Sequence, residues 1–280
     1  MILASTGGGT LDVGEVILGH VANHPWPILG LSKHVLMMLI AAVVVILFAR
    51  AAARGYDEDG VPRSLAAKML DPFVEHFYRD IALAHVGEEY ARRVTPLLLN
   101  FFFFILTCNL LGLIPFFETI AAACRLMGID VPLVFTVVHG GTTATGNYNV
   151  TMTLATITFF AIILYGSLKF GVLRHFSHLA PPGIVWPVRF GMLVPIEILS
   201  MFVKPFALTM RLAANMTAGH MGLLALLMMP MIVGKVAVGV PSVALAIGIS
   251  LLEIIVCFVQ AYVFALLSGV FIGMALHPHH

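Results

Sequence analysis

The stretch FGMLVPIEILSMFVKPFALTMRLAANMTAGHMGLLALLMMPMIVG, residues 190–234, decides how the rest of the chain is read. It is apolar almost throughout, yet Glu197, Lys204 and Arg211 stand in it at seven-residue steps, followed by Asn215 and His220. Steps of seven place the three charges near one face of a helix, about 10 Å apart along its axis. That is beyond the i,i+3 and i,i+4 contacts through which helical side chains neutralise one another. A second apolar stretch, residues 236–276, holds one charge, Glu253, with Gln260 seven residues on and on the same face. A charge near a bilayer centre costs about 2.5–3.5 kcal/mol, so four ask for roughly 10–14 kcal/mol before tilt, snorkelling or water offsets part of it. A helix needed only as a scaffold would carry leucine at those positions.

The composition agrees with a membrane setting. The chain has 280 residues, 60% hydrophobic and 10% charged, with a mean hydropathy of +1.01, whereas a soluble domain carries roughly 25% charged residues. The reading is an all-α integral membrane protein. A net charge of +1 says nothing about partners, and with no basic run in the chain nucleic acid is not expected as one. Cys108, Cys124 and Cys257 are far apart, odd in number and match no metal spacing, so they read as reduced packing thiols and no metal or cofactor is expected. Residues 1–30 lack the basic start, apolar core and small-residue cleavage site of a removable signal peptide, leaving the first membrane helix to direct insertion.

In chain order, residues 1–30 form a tail with Trp26 at its interfacial end. Residues 31–54 form membrane helix 1, stopped by Arg50 and Arg54. Residues 55–95 are the one densely charged part of the chain, with Leu65, Met69, Phe73, Phe77, Ile81 and Ala84 recurring at helical spacing. An amphipathic helix along the membrane surface and an ordinary loop helix both satisfy that spacing. Helix 2 is expected over 96–117 and helix 3 over 150–168, so that 96–168 holds both, with a polar connection at 118–149. The Gly140–Gly141 pair in that connection lacks the Lys-Ser/Thr of a phosphate loop. A basic, proline-rich loop covers 169–189. Residues 190–276 then form two helices of roughly 65 and 50 Å, too long for about 30 Å of hydrocarbon unless strongly tilted or bent, with Pro195, Pro205 and Pro230 as places to bend. They are expected to pair as a hairpin, giving about five membrane helices in all. Lys and Arg concentrate in 50–95 and 169–189, so the positive-inside rule puts those loops in the cytoplasm, the amino terminus outside and the tail 277–280 inside.

Arg211 stays protonated in any protein, so it is a poor proton relay and a strong attractor of carboxylates. Asn215, at i+4, shares its face. His220 and Glu253 are the groups of the hairpin able to titrate near neutral pH, and together they can pass protons. The bland alternatives are plain: a lone histidine often bonds a neighbour, Lys204 can snorkel, and Ser200, Thr209 and Thr217 can be packing hydroxyls. A secondary transporter would use buried Arg and Glu differently, but such folds show repeated halves, and here the charges gather at one end of the chain.

These residues resemble subunit a of the F-type ATP synthase, the stator half of its membrane rotor. The likeness runs over about residues 65–275 and is strongest in PIEILS (195–200), Lys204-Pro205, RLAANMTAGH (211–220), Glu253 and QAYVF (260–264), with weaker echoes in NLLGLIP (109–115) and TGNYNVT (145–151). The resemblance implies that Arg211 faces a ring of c subunits and prompts their carboxylate to release its proton. It implies that His220 and Glu253 line an outer half-channel, that Glu197 and Ser200 border an inner one, and that Asn215 and Gln260 flank the arginine; Lys204, Asn147 and Asn149 are further candidates on the pathway. It also implies a ring and a peripheral-stalk subunit b as partners, a bacterial inner membrane as location, and no nucleotide site or catalysis of its own. The sequence departs from many bacterial relatives in carrying imidazole at 220 and acid at 253 rather than the reverse. Ala213 also stands where the family often has an aromatic.

Overall fold

Lys33–Ala53 forms α1, an apolar helix with Arg50 in its last turn. Its flank of Val43, Ile46 and Leu47 is exposed, as a helix surrounded by lipid or a partner requires. The computed structural model describes residues 33–113, 144–171 and 188–277. The tail 1–30 with Trp26, Cys124, the Gly140–Gly141 pair, most of the connection 118–149 and of the loop 169–189, and residues 278–280 lie outside them.

A tight turn joins α1 to the next helix. The Asp57 carboxylate accepts from the backbone N–H groups of Asp59 and Val61, both at 3.1 Å, and pairs with Arg63 at 2.8 Å. The Tyr56 hydroxyl donates to Asp71 at 3.1 Å; burial first, then that carboxylate, pushes the phenol above its ordinary pKa. Ser64 caps α2, Leu65–His76, with its hydroxyl accepting from the Ala67 N–H at 3.1 Å. The chain continues through a π-helical stretch, Phe77–Leu83, and one α turn, Ala84–Val86. It breaks at Gly87, whose φ of +87° is open to glycine and strained for other residues.

The amphipathic spacing of 55–95 therefore divides between two settings. Leu65 and Met69 are 76% and 56% exposed, while Phe77 and Ile81 are fully buried between the helices that follow and precede the chain's end. The next helix, α3, is Glu88–Leu113, so it starts well before the expected position 96. Glu88 and Glu89 suit the positive end of the helix dipole, and Pro96 lies exposed within the helix without ending it.

After a short 3-10 turn, Ala144–Gly146, α4 runs Tyr148–Phe170, close to the expected 150–168. A π-helical turn, Arg189–Leu193, leads into α5, Val194–Val233, and α6 is Gly239–Leu276. Pro205 and Pro230 lie inside α5 without interrupting it. At 40 and 38 residues the two helices are about 60 and 57 Å long, twice the hydrocarbon thickness. Five helices in the described chain are long and apolar enough to cross a membrane, and no strand is present there.

Packing holds α6 at the centre. It lies against α3, α4 and α5, while α1 packs on α3. Ala261, Ala265, Gly269 and Gly273, four residues apart, give α6 a ridge of small residues that lets backbones approach closely. A Cβ at Gly269 would come within 2.9 Å of Ile81, and one at Gly273 within 2.8 Å of the His85 carbonyl carbon. Around this seam Phe73, Phe77, Phe102, Phe103, Phe258 and Tyr262 form a continuous set of stacked, tilted and edge-on ring contacts.

Candidate functional site

The site begins with the two faces of α5. Leu208, Thr209, Leu212, Ala213 and Met216 are buried against the rest of the bundle. The one proton of the Thr209 hydroxyl is shared between the Pro205 carbonyl at 3.1 Å and the Thr151 carbonyl on α4 at 3.2 Å, which ties the buried face of α5 to α4. The opposite face carries Ala207, Arg211, Ala214, Asn215 and Ala218, all exposed. Arg211 makes no ion pair or hydrogen bond among the described residues. A permanent cation thus stands on an apolar helix, flanked by small residues that leave room for a close neighbour.

Three contacts fix the register of the hairpin. The Lys204 Nζ lies 5.9 Å from the centre of the Phe271 ring. A Cβ on Gly219 would fall 3.1 Å from Glu253 Cδ and 3.2 Å from its Cγ, overlapping the carboxylate oxygen. A Cβ on Gly239 would sit 3.7 Å from Pro230. The helices are therefore antiparallel, and interpolation between the first two contacts brings residues 262–263 level with Arg211. Glu253 and Gln260 share a buried face of α6, as their seven-residue spacing requires. The Glu253 Oε2 is buried without a hydrogen-bond partner in the described chain, and an oxygen so placed is a proton acceptor that the fold itself leaves unused. His220 follows Gly219 on α5; its side chain lies outside the described residues.

A polar knot close by was not read from the sequence. Asn109 on α3 donates to the Cys257 carbonyl at 3.4 Å and accepts from the Thr145 hydroxyl at 2.5 Å, both side chains fully buried. Thr217 on α5 reaches the Gly146 carbonyl at 3.4 Å. The knot joins α3, the 144–146 turn, α5 and α6 one turn from Glu253. The available signal was Asn109 itself, an amide in the apolar second half of α3.

The other candidates separate. Asn147 caps α4, its side chain accepting from the Asn149 N–H at 2.9 Å, and Asn149 is exposed. Neither shares a hydrogen bond with Arg211 or Glu253 among the described residues. Glu197 and Ser200 lie at the far end of α5, half-buried and without a hydrogen bond in the described chain. Cys108 and Cys257 are free and buried. No group of three metal-ligating side chains occurs among the described residues.

Fold and site together define a multi-pass helical membrane protein whose last two helices carry fixed charge on an open face and an unsatisfied acid inside. The family described as ATP synthase A chain matches residues 35–273. The ATP synthase subunit a of Chloroherpeton thalassium is 38% identical over 256 residues, covering 90% of this chain and 68% of that protein. ATP synthase subunit a 2 of Chlorobaculum tepidum is 40% identical over 267 residues, 94% of this chain and 67% of its own length. The Myxococcus xanthus subunit a is 39% identical over 254 residues, with 90% and 75% covered. The chain belongs to the ATP synthase subunit a family and is a membrane component of the F-type ATP synthase.

Proposed function

We propose that this chain is the stator that turns proton flow into rotation: it offers two offset half-channels and, between them, Arg211. The observation that carries the reading is the open placement of Arg211 among small side chains on α5, unpaired among the described residues. A carboxylic acid on a ring of c subunits stays protonated while it faces lipid, because ionisation there is costly. Opposite Arg211 its ionised form is favoured by about one to three pKa units. The proton leaves by one route, another enters by the second, and the ring advances.

The buried Glu253 against Gly219, with His220 beside it in sequence, supports an outer route, with Gln260 and Asn215 near the arginine. Glu197 and Ser200, beyond Lys204 on the same helix, border the inner route. The two routes enter from opposite ends of the hairpin, so no continuous path bypasses the arginine. In this reading the chain is non-catalytic, is held by the peripheral-stalk subunit b, and lies in a bacterial inner membrane with its amino terminus outside and its C-terminal tail in the cytoplasm. Each charge moved through 100 mV yields about 2.3 kcal/mol, so several per turn drive synthesis elsewhere in the complex.

Replacing Arg211 by Ala in the assembled complex tests this. ATP-driven proton pumping is expected to disappear while the subunit remains in the membrane; coupled pumping at the wild-type rate would refute the assignment.

A further inference from the structure

We propose that His76, on α2, is a positioning residue for the translocation face, acting through Tyr262 of α6; the inference rests on the role given to Arg211 above. Its imidazole is held at both nitrogens. Nδ1 lies 2.6 Å from the Asp80 carboxylate, one turn on, and Nε2 lies 3.1 Å from the Tyr262 hydroxyl. The ring also stacks on Tyr262, centres 5.7 Å apart and planes 25° from parallel, and meets Phe77 edge-on at 5.9 Å. Asp80 fixes the ring of His76, and the ring fixes the phenol.

The place of this tie gives it its consequence. Against α3 and the π-helical stretch, α6 presents a ridge of alanine and glycine, which fixes how closely the backbones approach. Direction comes from hydrogen bonds. Among the described residues α6 receives three from distant elements through side chains: Asn109 to the Cys257 carbonyl at 3.4 Å, Thr158 to Ser268 at 3.4 Å, and His76 to Tyr262 at 3.1 Å. The shortest of them falls two residues from Gln260 and at the level of Arg211. It is also the one supported by a carboxylate and a stacked ring. Loss of it frees the segment of α6 that stands beside the arginine, while the seam on either side remains.

The π-helical stretch that begins at Phe77 fits this assignment. Along it Phe77 and Ile81 enter the core while His76 and Asp80 remain at the surface, half-exposed and exposed. Such irregular turns are frequent where a helix serves a site.

The test uses membranes carrying the complete ATP synthase, with ATP-driven proton pumping measured per assembled complex. His76→Phe keeps a ring for stacking and removes both hydrogen bonds; Tyr262→Phe removes one oxygen and keeps the test open if the first variant does not assemble. Each is expected to lower pumping about threefold, the size of effect that one net hydrogen bond supplies. The double variant is expected to pump no less than either single one. His76→Gln, whose amide can reach the phenol, is expected to recover much of the loss, which a mere loss of packing would not allow. Losses that multiply in the double variant, wild-type pumping in either single variant, or a glutamine no better than phenylalanine would overturn the assignment. Arg211→Ala measured alongside separates the two claims. If it abolishes pumping while the His76 variants are neutral, the positioning role alone is lost; if it pumps normally, the functional reading goes and the positioning role with it.

Discussion

At the scale of single side chains, the hairpin treats its two key charges in opposite ways. Arg211 is uncovered and flanked by alanines, whereas Glu253 is buried under the bare backbone of Gly219. The difference follows from their chemistry. A guanidinium that cannot lose its proton acts only on what comes to it, so it has to be reachable. The carboxyl lies inside, where no hydrogen-bond partner reaches its Oε2 among the described residues. Gly219 is what permits the second arrangement, because any Cβ there meets the carboxylate. Gly219→Ala is therefore expected to part the helices or turn Glu253 aside. Overpacking of this kind costs about 1–3 kcal/mol, so proton pumping should fall on the order of tenfold with the subunit still in place. Pumping at the wild-type rate in that variant would mean that the contact is dispensable.

At the scale of elements, the governing feature is the small-residue ridge of α6. Ala261, Ala265, Gly269 and Gly273 bring its backbone against Ile81, Leu98 and the His85 carbonyl, and this is how a long apolar helix with little hydrophobic driving force in lipid is kept in place. Gly273→Leu leaves no way to preserve that approach, since the obstacle is backbone and cannot turn aside. The expected result is a loss of about 1–3 kcal/mol, read as a lower thermal midpoint of the purified complex and less subunit retained in the membrane. A midpoint equal to the wild type would contradict the packing. The periodicity of Leu65, Met69, Phe73, Phe77 and Ile81 made α2 and the π-helical stretch after it legible in the sequence. The division of that one face between exposed and core residues was not legible, because it depends on α3 and α6, which come later in the chain. The early start of α3 was hidden for a related reason: Arg92, Arg93 and Pro96 look like a boundary until the exposed side of the helix is known to accept them.

At the scale of the whole molecule, the last two helices hold the charged positions that the sequence singles out. The seven-residue spacings of Glu197, Lys204 and Arg211, and of Glu253 and Gln260, were enough to place each set on one helix face. The hairpin pairing of α5 with α6 followed from their excess length. What spacing within one helix could not supply is which residues of two helices meet. The Gly219–Glu253 contact, the Asn109–Thr145 knot and the His76–Tyr262 tie all join positions more than thirty residues apart. Residue-type patterns carry no information about such pairs until a register is fixed. The central claim is that the Ala207–Arg211–Ala214 face of α5 is the one that meets the rotor. Disulfide cross-linking in the assembled complex tests it most directly, pairing a cysteine at 207, 214 or 216 with a cysteine beside the essential carboxylate of the c subunit. Cross-links from Ala207→Cys and Ala214→Cys, and none from the buried Met216→Cys, are the expected result; cross-linking from Met216→Cys alone would contradict the account.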